Sequence, residues 1–320
     1  MVRHFLTLRD FSRQELVEML SLAMEIKRDF KASKIRRDLQ GKILGMIFEK
    51  NSTRTRVSFE AGIYQLGGTG IFLSSRDIQL SRGESIPDSA RVISSMLDMI
   101  MIRTFAHQRL EEFANFSSVP VINGLSDSFH PVQVMADYLT MIENGIFCPS
   151  DFPDLPHQAI PKMSYIGDGN NMAHSLLMLA AKFGFELNIA TPEGYEPNSE
   201  ILSHSLKIAE QSGAKIQIGH SPFDAIKDAN VVVTDTWVSM GQDEEKQLRQ
   251  KAFETFCIDT NLMKHAHQKA IFLHCLPAYR GQEVSEEVLE GSQSRVFQEA
   301  ENRLHVQKGI MLWLYKNSKN

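Results

Sequence analysis

FEKNSTRTRVSF, residues 48–59, joins an apolar run to a polar turn and then to the start of a helix. Ser52 is a good N-cap, and Arg54 and Arg56 place two positive charges in the first helical turn. Arginines at this end oppose the helix dipole unless an anion lies among them. Backbone N–H groups, hydroxyls and a guanidinium fork can donate together to one oxyanion, so the segment predicts a phosphate site. An ordinary capped turn with solvated arginines is the alternative.

The composition is that of a globular protein without an obvious macromolecular ligand. The chain has 320 residues, enough for two domains, and its net charge of -5 gives no reason to expect nucleic acid. No apolar run approaches the roughly 20 residues of a membrane span, and the first residues do not form a secretory signal, so we expect a cytoplasmic protein without membrane contact. Cys148, Cys257 and Cys275 are too few and too scattered for a disulfide framework or a paired zinc motif.

Short apolar runs alternate with helical sequence in the first part of the chain. Ser12 and Glu15 predict a capping box at the start of the first helix. Buried parallel strands are predicted from apolar runs at residues 42–48, 70–73, 99–102 and 120–122. The alternation predicts an α/β domain over residues 1–148.

A proline-rich segment without periodicity, residues 145–162, predicts a domain boundary. Five more strands are predicted at residues 163–166, 186–190, 215–218, 230–234 and 270–273. Residues 149–293 are therefore expected to form a second domain. The predicted fold class is α/β, with two doubly wound domains, each a central parallel sheet flanked by helices, joined by inter-domain helices.

Polar residues follow the predicted strands of the first domain. Ligands of open parallel sheets bind at the carboxyl ends of the strands. Arg103 and His130, with Gln133 close by, lie at this edge. The turn at Ser52 shares the edge, which favours a binding site there. The alternative for His130 is a helix-start residue, just before Pro131, with a satisfied hydrogen bond.

The second domain also has unusual residues after its strands. Residues 167–175, GDGNNMAHS, begin like a dinucleotide fingerprint, but Met172 occupies the third glycine position, so the match is weak. Asp235 opens DTWVSMG after one strand, and HCLP follows another. Cys275 is either a small buried apolar residue with a structural role or a side chain that takes part in chemistry at an exposed strand end. Arg303 in the last helix is either a site residue or a solvated charge.

Together these motifs resemble the aspartate/ornithine carbamoyltransferase family, and its ornithine branch most closely. The motifs that carry the resemblance are Ser52-Thr53-Arg54-Thr55-Arg56, His130-Pro131-x-Gln133, Asp235 with Ser239-Met240-Gly241, His274-Cys275-Leu276-Pro277 and Ala300-Glu301-Asn302-Arg303. The aspartate enzymes typically have HPLPR where this chain has HCLPA. Val132 departs from the cysteine that many ornithine enzymes carry, but His130 and Gln133 flank it unchanged.

The resemblance implies transfer of the carbamoyl group from carbamoyl phosphate to the δ-amino group of L-ornithine, giving L-citrulline and phosphate. It implies no cofactor, no metal and no covalent enzyme intermediate. It also implies a homotrimer and a C-terminal helix, residues 294–320, that packs back on the first domain. The form HCLPAYRGQEV looks more like the enzymes of arginine biosynthesis.

The resemblance also assigns roles to residues. Catalytic roles fall to Arg54, Arg103, His130, Asp235 and Cys275. Carbamoyl phosphate would be bound by Ser52, Thr53, Arg54, Thr55, Gln79, Arg103, His130, Gln133, Cys275, Leu276 and Arg303. Ornithine would be bound by Asn171, Asp235, Ser239 and Met240. Gln79 would come from a neighbouring subunit, and Cys275 would position the amine and accept its proton, not act as a nucleophile.

Two alternatives remain open at this point. A related enzyme could use putrescine, aspartate or N-acetylornithine as its acceptor. A binding protein could keep the fold and lack the chemistry, because fold alone does not determine function.

Overall fold

The computed structural model describes residues 2–74, 83–146, 160–238 and 243–318. Gln79, Ser239, Met240 and Cys148 lie outside these residues, as does the predicted boundary between residues 148 and 149. The strands are β1 (Ile43–Phe48), β2 (Thr69–Ser74), β3 (Met99–Arg103), β4 (Val121–Leu125), β5 (Lys162–Ile166), β6 (Glu186–Ala190), β7 (Lys215–Gly219), β8 (Val231–Thr234) and β9 (Ile271–His274). All nine predicted strands are therefore present.

Twelve α-helices lie within the described residues, together with short 3-10 turns. They are α1 (Arg13–Lys31), α2 (Thr53–Gln65), α3 (Ile86–Ser94), α4 (His107–Phe116), α5 (Pro131–Glu143), α6 (Asn171–Phe183), α7 (Ser199–Ser212), α8 (Pro222–Ile226), α9 (Lys246–Ala252), α10 (Thr260–Met263), α11 (Glu286–Leu289) and α12 (Val296–Asn317). The capping box predicted at Ser12 and Glu15 is confirmed at the start of α1. None of the helices in these residues combines the length and the apolar character that a bilayer span requires.

The chain divides into two compact units. The first contains Met1–Ala136 and Glu301–Asn320, and the second contains Asp137–Ala300. The division falls within α5 and α12, so both connections between the units are helical.

The first unit contains a four-stranded parallel sheet in the order β2-β1-β3-β4. β1 and β3 are buried along nearly all of their length because apolar side chains dominate both strands. Ile100 and Ile102 of β3 pack with Leu110 and Phe113 of α4 in one core cluster. The strand order reverses between β1 and β3, and a reversal of this kind leaves a crevice at the carboxyl ends of the two strands.

Helix α12 contacts α1 and α2 in the first unit. A Cβ on Gly309 would clash with the Met19 carbonyl oxygen, so only glycine allows this close approach to α1. Lys308 Nζ donates to Gln65 Oε1 of α2 at 2.8 Å. These contacts set the position of α12, and of the side chains on it, relative to α1 and α2.

The second unit contains a five-stranded parallel sheet in the order β7-β6-β5-β8-β9. Its strand order reverses between β5 and β8, which are hydrogen-bonded neighbours. Helices α6 and α8 pack against the sheet. The carboxyl ends of β5 and β8 therefore border a second crevice of the kind that binds ligands in open sheets.

Candidate active site

A first group of candidate residues, in the first unit, begins where β1 turns into α2. Ser52 is the N-cap, and its Oγ accepts a hydrogen bond from the Thr55 N–H at 3.2 Å. The predicted helix start is thus confirmed. The first turn of α2 contains no acidic residue. Its positive dipole end is left to be balanced by an anion from outside the helix.

Two arginines from distant parts of the chain converge on Thr55. Arg303 Nη2 donates to Thr55 Oγ1 at 2.7 Å, and Arg103 Nη1 lies 3.5 Å from the same oxygen. All three side chains are buried. A hydroxyl has two lone pairs and one proton, so Thr55 can accept both bonds and still donate its proton. The alternative that Arg303 is a solvated helix-face charge is wrong.

His130 is buried just before α5 and lies within the field of the arginine cluster. Burial lowers the pKa of His130 well below its ordinary value, and the charges of Arg303, Arg103 and Arg54 lower it further. The imidazole is therefore neutral near pH 7. A neutral imidazole keeps one N–H donor without adding a fourth positive charge. Gln133 lies in the first turn of α5 and is fully buried.

An ion pair that the sequence analysis did not identify holds the turn before His130. Lys50 Nζ contacts Asp127 Oδ1 at 2.6 Å and lies 4.3 Å from the centre of the Phe105 ring. Lys50 precedes the turn at Ser52, so the pair ties that turn to the one carrying His130. Lys50 stands within FEKNSTRTR, but no local pattern marks an aspartate 77 residues away as its partner.

A second group of candidate residues, in the second unit, lies at the carboxyl ends of β8 and β9. Cys275 Sγ donates to Asp235 Oδ1 at 3.1 Å. The Thr236 N–H donates to the same oxygen at 2.7 Å. Asn170 Nδ2 donates to the other carboxylate oxygen at 3.4 Å. Three donors thus fix the orientation of a buried carboxylate.

The Cys275 thiol is protonated in this arrangement. Burial raises the pKa of Cys275 well above its ordinary value, and the neighbouring Asp235 carboxylate raises it further. A thiol that stays protonated is a poor nucleophile and a poor proton acceptor, because the thiolate is the reactive form. The geometry therefore favours a donor role for Cys275 over the proton-accepting role expected from the sequence.

The turn after Cys275 is held by His274. Its Nδ1 accepts a hydrogen bond from the Leu276 N–H at 2.9 Å, so its Nε2 carries the proton and donates to Glu283 at 3.1 Å. Leu276 has a φ of +57°, an unusual value for a non-glycine residue. Atoms of Asp235, His274 and Cys275 that could bind a metal lie within 4.8 Å of one another. The imidazole is committed to Leu276 and Glu283, which leaves only a carboxylate and a protonated thiol for a metal ion.

Asn171 is the first residue of α6, at the carboxyl end of β5. Its neighbour Asn170 is the N-cap and is the residue that contacts Asp235. The family resemblance assigned Asn171 to the acceptor and did not mark Asn170, which the structure places beside Asp235. Gln79, Ser239 and Met240 are outside the described residues.

Two protein-family models match the chain. The aspartate/ornithine carbamoyltransferase carbamoyl-P binding domain matches residues 3–143, and the aspartate/ornithine carbamoyltransferase Asp/Orn binding domain matches residues 161–314. The chain belongs to the aspartate/ornithine carbamoyltransferase family. The two groups of candidate residues, one in each unit, lie in these two matched regions, apart from Arg303, which comes from the second matched region and contacts Thr55 in the first.

Individual members of the family are similar to the chain over nearly its whole length. Ornithine carbamoyltransferase of Wolinella succinogenes is 63% identical over 313 residues, which cover 98% of both chains. That of Helicobacter hepaticus is 60% identical over 322 residues, covering 99% of this chain and 98% of the relative.

Solved structures of family members share the fold. The anabolic ornithine carbamoyltransferase of Campylobacter jejuni superposes with a TM-score of 0.90 at 49% identity, over 98% of each chain. The enzyme of Pyrococcus furiosus superposes with a TM-score of 0.93 at 43% identity, over 99% of this chain and 98% of the other. The resemblance inferred from the motifs is confirmed.

Proposed function

We propose that the chain has ornithine carbamoyltransferase activity. It transfers the carbamoyl group of carbamoyl phosphate to the δ-amino group of L-ornithine and releases L-citrulline and phosphate. The observation that carries the phosphate chemistry is the convergence of Arg103 and Arg303 on buried Thr55 at the start of α2. The acceptor is proposed from the Asp235–Cys275 pair and from relatives named ornithine carbamoyltransferase.

Carbamoyl phosphate is proposed to bind at the start of α2. Ser52, Thr53 and Arg54 would donate to the phosphate together with Thr55 and Arg103. Gln133 would bind the carbamoyl amide, and Arg303 would complete the positive cluster around the substrate. The backbone carbonyls of Cys275 and Leu276 are further proposed ligands of the amide, as is Gln79 of a neighbouring subunit.

Catalysis is proposed to come from donors placed where negative charge develops. As the amine attacks, the carbamoyl carbonyl oxygen becomes negative. Arg54, Arg103, Thr55 and the neutral His130 then stabilise it without reorganising. The new C–N bond forms, the C–O bond to phosphate breaks, and the leaving phosphate takes the amine proton. Holding both substrates at attack distance supplies the rest of the rate enhancement.

Ornithine is proposed to bind in the second unit. Asp235 would hold the δ-ammonium end, with its carboxylate kept in place by Cys275 and Asn170. Asn171, Ser239 and Met240 would bind the α-amino and α-carboxylate groups. A carboxylate raises the pKa of a neighbouring ammonium. Desolvation and the positive charge of the arginine cluster must therefore favour the neutral amine before it attacks.

Replacing Cys275 with alanine is expected to weaken acceptor use. Cys275→Ala removes a donor to a buried carboxylate, and such bonds contribute about 1.5–3 kcal/mol, so kcat/KM for ornithine should fall about tenfold or more. Initial rates across a pH series measure the effect and any shift of the pH profile. Cys257→Ala is the control, because Cys257 packs beside an apolar core cluster. Full turnover with an unchanged pH profile in Cys275→Ala would refute the role of the thiol.

A homotrimer, a cytoplasmic location and a role in arginine biosynthesis are also proposed. The edge strand β2 and the neighbouring α2 expose Val57, Tyr64 and Ile71, and Tyr64 is 78% exposed. An apolar surface beside a sheet edge suits contact with another subunit. The free thiols of Cys257 and Cys275 suit a reducing compartment. A monomeric mass in sedimentation at assay concentrations would contradict the trimer.

The deciding experiment is a parallel assay of acceptors. The purified protein is incubated with carbamoyl phosphate and one of ornithine, putrescine, aspartate or N-acetylornithine, and the carbamoylated product and phosphate are measured. Turnover with ornithine alone is expected. Turnover with another amine would keep the phosphate chemistry and change the acceptor. Absence of turnover with all four would instead favour a binding protein.

A further inference from the structure

A buried ion pair lies beside the proposed acceptor residues of the second unit and has no role in the function proposed so far. Arg249 Nη1 of α9 donates to Asp168 Oδ2 at 2.8 Å, and both side chains are less than one-tenth exposed. The same nitrogen donates to the Trp237 carbonyl oxygen at 3.2 Å. Arg249 Nε donates to Glu245 at 2.9 Å. One guanidinium therefore links three parts of the second unit.

The linked segments are those that carry the acceptor residues. Asp168 follows β5 and precedes Asn170 and Asn171 by only two and three residues. Trp237 follows Asp235 by two residues at the end of β8. Because β5 and β8 are adjacent strands, their carboxyl ends are neighbours, and Arg249 connects the turns that leave them.

Close packing around the guanidinium leaves little room for it to move. Its central carbon lies 5.1 Å from the centre of the Tyr195 ring, which packs edge-on against Phe253. Phe253 in turn stacks on Trp237. On the Asp168 side, the Gly169 N–H donates to the Tyr195 carbonyl oxygen at 2.9 Å, and a Cβ on Gly169 would clash with the backbone of residues 195–197.

Burying the charges of Arg249 and Asp168 costs free energy, which a purely structural role does not explain. Burial raises the pKa of Asp168 to about 6 although Arg249 opposes the shift, and the charges of Asp235 and Glu245 add to the rise. Buried ion pairs often stabilise a fold no better than apolar residues of similar volume. A role in holding the neighbouring acceptor residues in position explains why two charges are buried there.

We propose that Arg249 and Asp168 are positioning residues for the amino-acid acceptor. By joining the turn before Asn171 to the turn after Asp235, the pair sets the spacing of the groups that bind the two ends of the acceptor. This proposal rests on the proposed function and deepens it. It concerns acceptor binding and leaves the phosphate-binding residues of the first unit unchanged.

The test compares Arg249→Met, Arg249→Lys and Asp168→Asn with the wild type. For each protein, KM and kcat for ornithine, KM for carbamoyl phosphate, and the melting temperature are measured. Arg249→Met should raise KM for ornithine about tenfold or more, the size expected for loss of a charge-assisted bond, and leave KM for carbamoyl phosphate within about twofold. Arg249→Lys should restore part of the loss because it keeps the charge but not the fork. Arg280→Met is the control, since Arg280 pairs with Glu290 at the surface.

Several results would overturn the proposal. One is an unchanged KM for ornithine in folded Arg249→Met and Asp168→Asn proteins. Another is an equal rise in KM for both substrates together with a lower melting temperature, which indicates a purely structural pair. If Arg249→Met does not fold, Arg249→Lys and Asp168→Asn decide by the same criteria. Absence of citrulline formation by the wild type would refute the proposed function itself.

Discussion

Arg54→Lys should lower kcat/KM for carbamoyl phosphate by about 100-fold or more, the cost of losing one donor at a developing negative charge. Arg54 is half-buried and lies close enough to His130 for its charge to lower the pKa of that imidazole. Lysine keeps the charge but has no planar fork to bind two oxygens at once. Initial-rate kinetics with carbamoyl phosphate varied at saturating ornithine measure the loss.

Arg56→Lys is the matched control from the same motif. The Arg56 side chain is 46% exposed, pairs with Glu60 on the next helical turn and stacks on the Phe72 ring. Its replacement should leave kcat/KM within about threefold, because exposed ion pairs contribute little. Equal losses in the two variants would show that Arg54 has no special place in the phosphate site.

Asp235→Asn should lower kcat/KM for ornithine by about 100-fold, since a bond to a charged partner contributes roughly 1.5–3 kcal/mol and the charge itself is lost. Asparagine matches aspartate in shape but cannot attract an ammonium group. It would also meet the Cys275 thiol and the Thr236 N–H with an altered set of acceptors. Ornithine saturation curves at fixed carbamoyl phosphate measure the change.

Asp224→Asn is the control for this substitution, because Asp224 is exposed in the first turn of α8. It should behave as the wild type. Carbamoyl phosphate binding, measured by calorimetry without the acceptor, should be preserved in Asp235→Asn. If Asp235→Asn used ornithine with wild-type efficiency, the proposal that Asp235 binds the acceptor would be wrong.

The fold was predictable because its strands are short apolar runs bounded by polar turns. The largest error concerns β4, which was expected at residues 120–122 but extends over Val121–Leu125. Asn123 and Gly124 end the apolar run in the sequence. In the structure Asn123 is buried, and its side-chain amide donates to the Leu6 carbonyl oxygen at 2.9 Å. A contact across more than a hundred residues thus replaces the hydrophobic signal.

Part of the site was predictable for a related reason. Residues that follow parallel strands must lie at one edge of a sheet, and this rule alone predicts that Ser52, Arg103 and His130 lie together. The ion pairs Lys50–Asp127 and Arg249–Asp168 were missed because their partners lie far apart in the chain. Spacing along a sequence contains no direct record of such contacts.

The protonation states of His130 and Cys275 could not be predicted from the sequence, for a different reason. The pKa values of His130 and Cys275 are shifted in opposite directions by burial, because burial disfavours the charged imidazolium and the charged thiolate alike. Burial is a property of the folded chain. The donor role of Cys275 became visible only with its position beside Asp235.

The first unit is assembled from two stretches of chain separated by the whole of the second unit. During translation, residues 137–300 leave the ribosome before Arg303 does. The 2.7 Å hydrogen bond from Arg303 to Thr55 can therefore form only after the last helix has been synthesised. The continuous second unit can fold while synthesis continues, as domains generally do. A nascent or prematurely terminated chain therefore contains Arg54 and Arg103 without the third arginine of their cluster. The arginine cluster around Thr55 becomes complete only after residues 137–300 have already been synthesised.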